Sequence, residues 1–125
     1  ITGQHGYGYN FGLLATREIL KNAPHVTCVM ASNDMAAFGC IDELRRHGLT
    51  VPDDISVTGA DGLKLPGSAV RINSFFSPAF EIGRRGAELL FEQINGKNEI
   101  RKVCLPVTPV DGGTIRNIKS RQEKK

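Results

Sequence analysis

At 125 residues, with 40% hydrophobic and 23% charged side chains, the chain suits one packed soluble domain and is too apolar for a disordered one. Its net charge of +3 leans on the last seven residues, Lys119 to Lys125, which hold four of the sixteen basic side chains. The remainder is nearly neutral and offers no broad basic surface for phosphate contacts, so this chain is not expected to hold DNA itself.

Residues 1–10 are rich in glycine and tyrosine and do not form a phosphate loop, because no Lys-Ser/Thr ending follows the glycines. Phe11, Leu14, Ala15 and Ile19 then give helical spacing as far as Lys21-Asn22, ahead of Pro24. Val26 to Ala31 is a short apolar run that predicts a buried strand. Ser32, Asn33 and Asp34 are capping residues, and a helical pattern runs from them to about His47 with Met35, Phe38, Ile41 and Leu44 on one face. Gly48 and Pro52 stop it, and Ile55 to Thr58 predicts a second strand ending at Gly59-Ala60-Asp61-Gly62. The whole stretch reads as a β-α-β unit.

Beyond a loop at 62–67, Ala69 to Asn73 predicts a short strand leading to Ser74-Phe75-Phe76-Ser77-Pro78. Ala79 to Asn95 is the longest helical pattern, with Phe80, Ala87, Leu90, Phe91 and Ile94 on one face and Gly96 as its stop. The adjacent Arg84-Arg85 suits a solvated helix face better than a phosphate site. Lys102 to Leu105 predicts a last strand, and the charged tail beyond Asn117 is expected to be disordered.

In parallel α/β sheets, ligands sit outside the carboxyl ends of the strands. Asn33 follows the first strand and Asp61 the second, and an amide beside a carboxylate suits a polyhydroxylated or amine-bearing small molecule. The plainer reading is a helix cap and a glycine-flanked turn, and caps and turns outnumber ligand sites. Cys28 and Cys40, in a predicted strand and helix, are expected to be small buried hydrophobes. With Cys104 they make three, without C-x-x-C or Cys/His spacing, so no zinc site and no other cofactor is expected and a reducing cytosol is favoured. Neither a signal peptide nor a membrane-length apolar run is visible, and the start at Ile1 leads to the expectation of a fragment.

The order of residues adds more. Asn33-Asp34, Ala37, Gly39, Leu44, Gly48, Val51-Pro52, Asp54-Ile55-Ser56-Val57, Gly59 and Asp61 stand at the spacing of the effector-binding domain of LacI/GalR-type bacterial transcription regulators, which this chain closely resembles. The resemblance implies an α/β fold of the periplasmic-binding-protein-like type I, an incomplete Rossmann-like parallel sheet lobe with flanking helices. It assigns 1–76 and 110–118 to the C-terminal lobe and 78–108 to a segment that crosses to the N-terminal lobe, leaving 119–125 as tail.

It further implies a small effector, a sugar or sugar derivative, held by Asn33 and Asp61, with Tyr7 as a stacking face and Ser77 at the edge. DNA would be bound only through a helix-turn-helix headpiece outside this chain, in a cytoplasmic homodimer with no membrane partner. Three positions depart from the family pattern. Ser77 stands for a glutamine, Gly112 for an arginine and Gly86 for a mid-helix alanine.

One conflict follows, because the apolar face of the 79–95 helix should pack on a lobe that the chain lacks. The helix is therefore expected to dock on the C-terminal lobe or against another chain. The alternative function is a periplasmic sugar receptor of a transport system. Catalysis is a distant third, since His5, His25 and His47 are scattered and there is no G-x-S-x-G or paired-carboxylate signature.

Overall fold

The computed structural model describes residues 7–64, 69–97 and 99–117. In chain order these form α1 (Tyr9–Asn22), β1 (Cys28–Met30), α2 (Asp34–Arg46), β2 (Ser56–Thr58), β3 (Ser74–Phe76), α3 (Ala79–Ile94) and β4 (Thr108–Val110). β1 and β2 pair in parallel, Cys28 opposite Ser56 and Met30 opposite Thr58. A parallel bridge between Thr58 and Asn73 carries the pairing toward β3, which then pairs antiparallel with β4.

The core lies between α2 and this sheet. Ala37, Cys40, Ile41 and Leu44 on one helix face meet Ile55, Val57 and Ile72. Ile41 and Leu44 belong to the face read from the sequence and Phe38 packs at its margin, whereas Met35 is exposed and Ala37 and Cys40 take the inner positions. α1 packs beside α2 so closely that a Cβ on Gly12 would lie 2.0 Å from the Ala36 carbonyl oxygen, and one on Gly39 2.1 Å from that of Tyr9. Only glycine permits that approach at both contact points. The seam is flanked by polar anchors: Tyr9 donates to Asp42 at 2.6 Å, and buried Glu43 takes Arg17 at 2.7 Å and Arg46 at 3.2 Å.

Four expectations are corrected. The strand expected at 69–73 forms at 74–76, with Asn73 contributing only a bridge. The last strand lies at 108–110 rather than 102–105. Pro109 has no N–H to donate, and β4 tolerates it because it pairs only with β3 and so lies at a sheet edge. Cys28 is exposed, since the face that it shares with Met30 is uncovered, whereas Cys40 is buried and its thiol is pushed up in pKa by that burial.

The fourth correction concerns one of the two dockings expected of α3: it does not dock on the β1–β2 sheet, which leaves the other, burial against another chain. None of its residues is buried, and Phe80 is 85% exposed. Among the described residues it faces its own return segment across a shallow cavity of about 350 Å³ lined by Ile82, Leu89, Val103 and Leu105 among others. Arg84 pairs with Glu81 and Glu88, and Arg85 with Glu88, as expected of a solvated face. The chain then rejoins the β1–β2 side. Gly113 N–H donates to the Arg71 carbonyl, Val57 N–H donates to that of Thr114, and Thr114 and Asn73 exchange side-chain and backbone bonds. The expected disordered tail falls at 118–125, outside the described residues.

Candidate functional site

Asn33 and Asp61, both singled out from the sequence, stand beyond the carboxyl ends of β1 and β2. Asn33, three residues beyond the end of β1, is the N-cap of α2: its backbone is extended, and its Oδ1 accepts from Ala36 N–H at 2.8 Å. Its Nδ2 is buried and finds no hydrogen-bond partner among the described residues. A buried amide donor left unpaired costs about 1–3 kcal/mol, so this atom is one an acceptor would satisfy. The plain reading, a helix cap, therefore accounts for half of the side chain and leaves the other half unexplained.

Asp61 lies in the loop after β2, exposed, with a backbone φ of +122°. That conformation is strained for a residue with a Cβ and persists only where its surroundings hold it; such residues cluster at ligand clamps. Its N–H donates to the Phe75 carbonyl at 3.1 Å, which ties the loop to β3. Tyr7 precedes α1 and is 81% exposed. A Cβ built on Gly8, its neighbour, would lie 4.0 Å from the Met35 Cβ, which brings the backbone next to Tyr7 near the start of α2. Ser77 follows β3 directly and is half-buried.

Asp34, read from the sequence as a capping residue, is the first residue of α2 with Asn33 as the N-cap, and its side chain turns to the loop after β2. It is 1% exposed, and its two carboxyl oxygens accept from Ser74 Oγ and from Leu63 N–H, each at 2.6 Å. Ser74 is a residue that sequence reasoning passed over, and nothing in its local pattern marks it. Gly112, the position of the family's arginine, shows why no side chain stands there: a Cβ would fall 2.3 Å from the Arg71 carbonyl oxygen. A separate cavity of about 320 Å³, lined by Met30, Thr58, Gly59, Phe75 and Ile115 among others, includes none of the four predicted site residues. Among the described residues no cluster of His, Cys, Asp and Glu could hold a metal ion.

A parallel strand–helix–strand lobe with polar groups gathered at its carboxyl edge puts the chain among α/β domains whose ligands sit at that edge. Residues 4–115 match the family described as the periplasmic binding protein-like domain. The chain belongs to that family, and within it is homologous to LacI/GalR-family transcription regulators and their effector-binding domains. It is 34% identical over 92 residues to the HTH-type transcriptional regulator CelR of Thermobifida fusca, which covers 73% of this chain and 27% of that protein.

Among solved structures, it superposes on a complex of the regulator CelR with cellobiose at a TM-score of 0.78 and 29% identity, covering 86% of this chain and 34% of that one. A LacI-family regulator of Enterococcus faecium with bound ribose gives a TM-score of 0.70 at 29% identity, covering 87% and 41%. The chain spans between 27% and 33% of the length of the curated relatives described as CelR, PurR, CytR and GntR.

Proposed function

We propose that this chain is the effector-sensing part of a LacI-family transcription regulator, and that it binds a sugar or sugar derivative without transforming it. The observation that carries the reading is the edge described above, where the unpartnered Asn33 Nδ2 and the strained Asp61 stand at the ends of adjacent parallel strands. Asn33 would donate to a hydroxyl, Asp61 accept from one, Tyr7 cover the C–H face of the ring and Ser77 reach its rim. Two structures of similar fold are complexes with cellobiose and ribose, which supports a carbohydrate.

The residue assignment 1–76 and 110–118 to one lobe and 78–108 to a crossing segment agrees with the separation of α3 from the core. A second lobe, outside this chain, would supply the opposite wall of the cleft. Effector binding between lobes would favour one hinge state because that state makes more contacts, and DNA would be held by a headpiece on a cytoplasmic homodimer.

The test is calorimetric titration of the gene-encoded protein that contains this chain with ribose, cellobiose and a panel of related sugars. Saturable binding lost in both Asn33→Ser and Asp61→Asn supports the site. Binding that survives both variants removes it. The sequence encoded upstream of Ile1 decides the class: a helix-turn-helix supports the regulator, and a signal peptide leading directly into the other lobe supports a transport receptor.

A further inference from the structure

The loop that carries Asp61 is fastened to the start of α2 by a residue whose two carboxyl oxygens are both engaged within the fold. Asp34 is buried at the first turn of α2, and three of its polar atoms are engaged around that loop. Its N–H donates to the Ala60 carbonyl at 2.8 Å, Oδ2 accepts from Leu63 N–H and Oδ1 accepts from Ser74 Oγ. Ser74 Oγ in turn accepts from Gly62 N–H at 3.1 Å. A ring of hydrogen bonds thus encloses residues 60–63 and fastens them both to the start of α2 and to β3. Gly59 belongs to the same arrangement, because a Cβ there would lie 2.1 Å from Asp34 Oδ1 and displace the carboxyl group.

We propose that Asp34 is the positioning residue of the effector site: through Ser74 and the Leu63 amide it holds the Asp61 backbone in its strained conformation and fixes that loop to the strand leading out of the lobe. Relaxed, a residue at φ +122° would leave that region, and the Asp61 carboxylate would turn with it. The bond from Asp61 N–H to the Phe75 carbonyl secures one end of the loop, and Asp34 secures the other. Because Ser74 is two residues upstream of Phe76 in β3, and Ser77-Pro78 follow, the ring joins the loop to the segment that enters α3. The assignment of Asp61 as a contact rests on the proposed function; the positioning of its loop does not.

The test is amide hydrogen exchange followed by NMR on the whole chain, without ligand, so that it reads the loop independently of any effector. Ser74→Ala should speed exchange at Asp61, Gly62 and Leu63 by tenfold or more while Leu44 and Val57 in the core keep their rates. Asp34→Asn and Gly59→Ala should act on the same amides, and Ser74→Thr, which keeps the hydroxyl, should restore them. Unchanged rates at 61–63 in Ser74→Ala overturn the proposal. So does an equal acceleration at every protected amide, which would reduce Asp34 and Ser74 to general stabilisers. If Asp34→Asn does not fold, the Ser74 pair decides alone. Intact loop positioning with no sugar binding would leave this assignment standing and count against the effector reading.

Discussion

Asn33 shows how one side chain can serve the fold and still hold a donor in reserve. Its oxygen caps α2, a role worth about 0.5–2 kcal/mol, while its nitrogen is buried without a partner. Asn33→Ser keeps a capping oxygen, and the gain from removing that unpaired amide donor is offset by the packing lost from a buried site. Its urea unfolding midpoint should correspond to a stability within about 0.5 kcal/mol of the parent. A loss of several kcal/mol would mean that Nδ2 has a partner in solution.

Glu43 behaves differently. The hydrogen bond from Arg17, with Arg46 nearby, holds its pKa below the ordinary 4.5. A depressed carboxylate contributes its stabilisation above the unfolded value and loses it as pH falls through the folded one. The stability gap between the parent and Glu43→Gln should therefore shrink as pH falls from about 5 toward 3. A gap that is constant across that range contradicts the assignment.

Helix pairs in this protein are specified by what their glycines do. Gly12 and Gly39 lie against backbone of the facing helix, so Gly12→Ala or Gly39→Ala has no flexible atom to displace and should cost about 3 kcal/mol in urea unfolding. Gly86 in α3 has nothing near its missing Cβ, and Gly86→Ala should stabilise that helix by about 0.5–1 kcal/mol, read as increased helical circular dichroism.

The apolar face of α3 contributes little to the folded chain as it stands. Polar replacement of Phe80, Phe91 and Ile94 together should leave the unfolding midpoint of the core within about 0.5 kcal/mol of the parent. It should also reduce association in sedimentation experiments, because a patch of that kind seeks a partner. A large drop in the midpoint would place α3 against the core in solution.

Taken as a whole, the chain is a lobe with open sides. Core residues come from α2, Ile55, Val57 and Ile72, while the face of β1 bearing Met30 and the face of α3 are both uncovered. The described helices include none long and apolar enough to cross a membrane. If a second lobe supplies the other cleft wall, the 125-residue chain alone should bind ribose or cellobiose at least a hundredfold more weakly than the protein that contains both lobes. Parallel titrations of the two check this, and equal affinities would place the whole site within this chain.

Much of this was legible in the residues. The run from Val26 to Asp61 carries its own punctuation, apolar strand, cap, amphipathic helix, glycine stop and second strand, because those signals act over a few residues and depend only on local chemistry. The positions of Asn33 and Asp61 at strand ends followed from the same punctuation. What tertiary contact alone decided is of another kind. The bonds of Asp34 to Ser74 and Leu63 span forty and twenty-nine positions, and no local pattern announces them. The shift of the last strand to 108–110 depends on which partner β3 offers, and the exposure of Cys28 depends on a face that nothing covers. Local periodicity says which side of an element is apolar; only packing says whether anything lies against it.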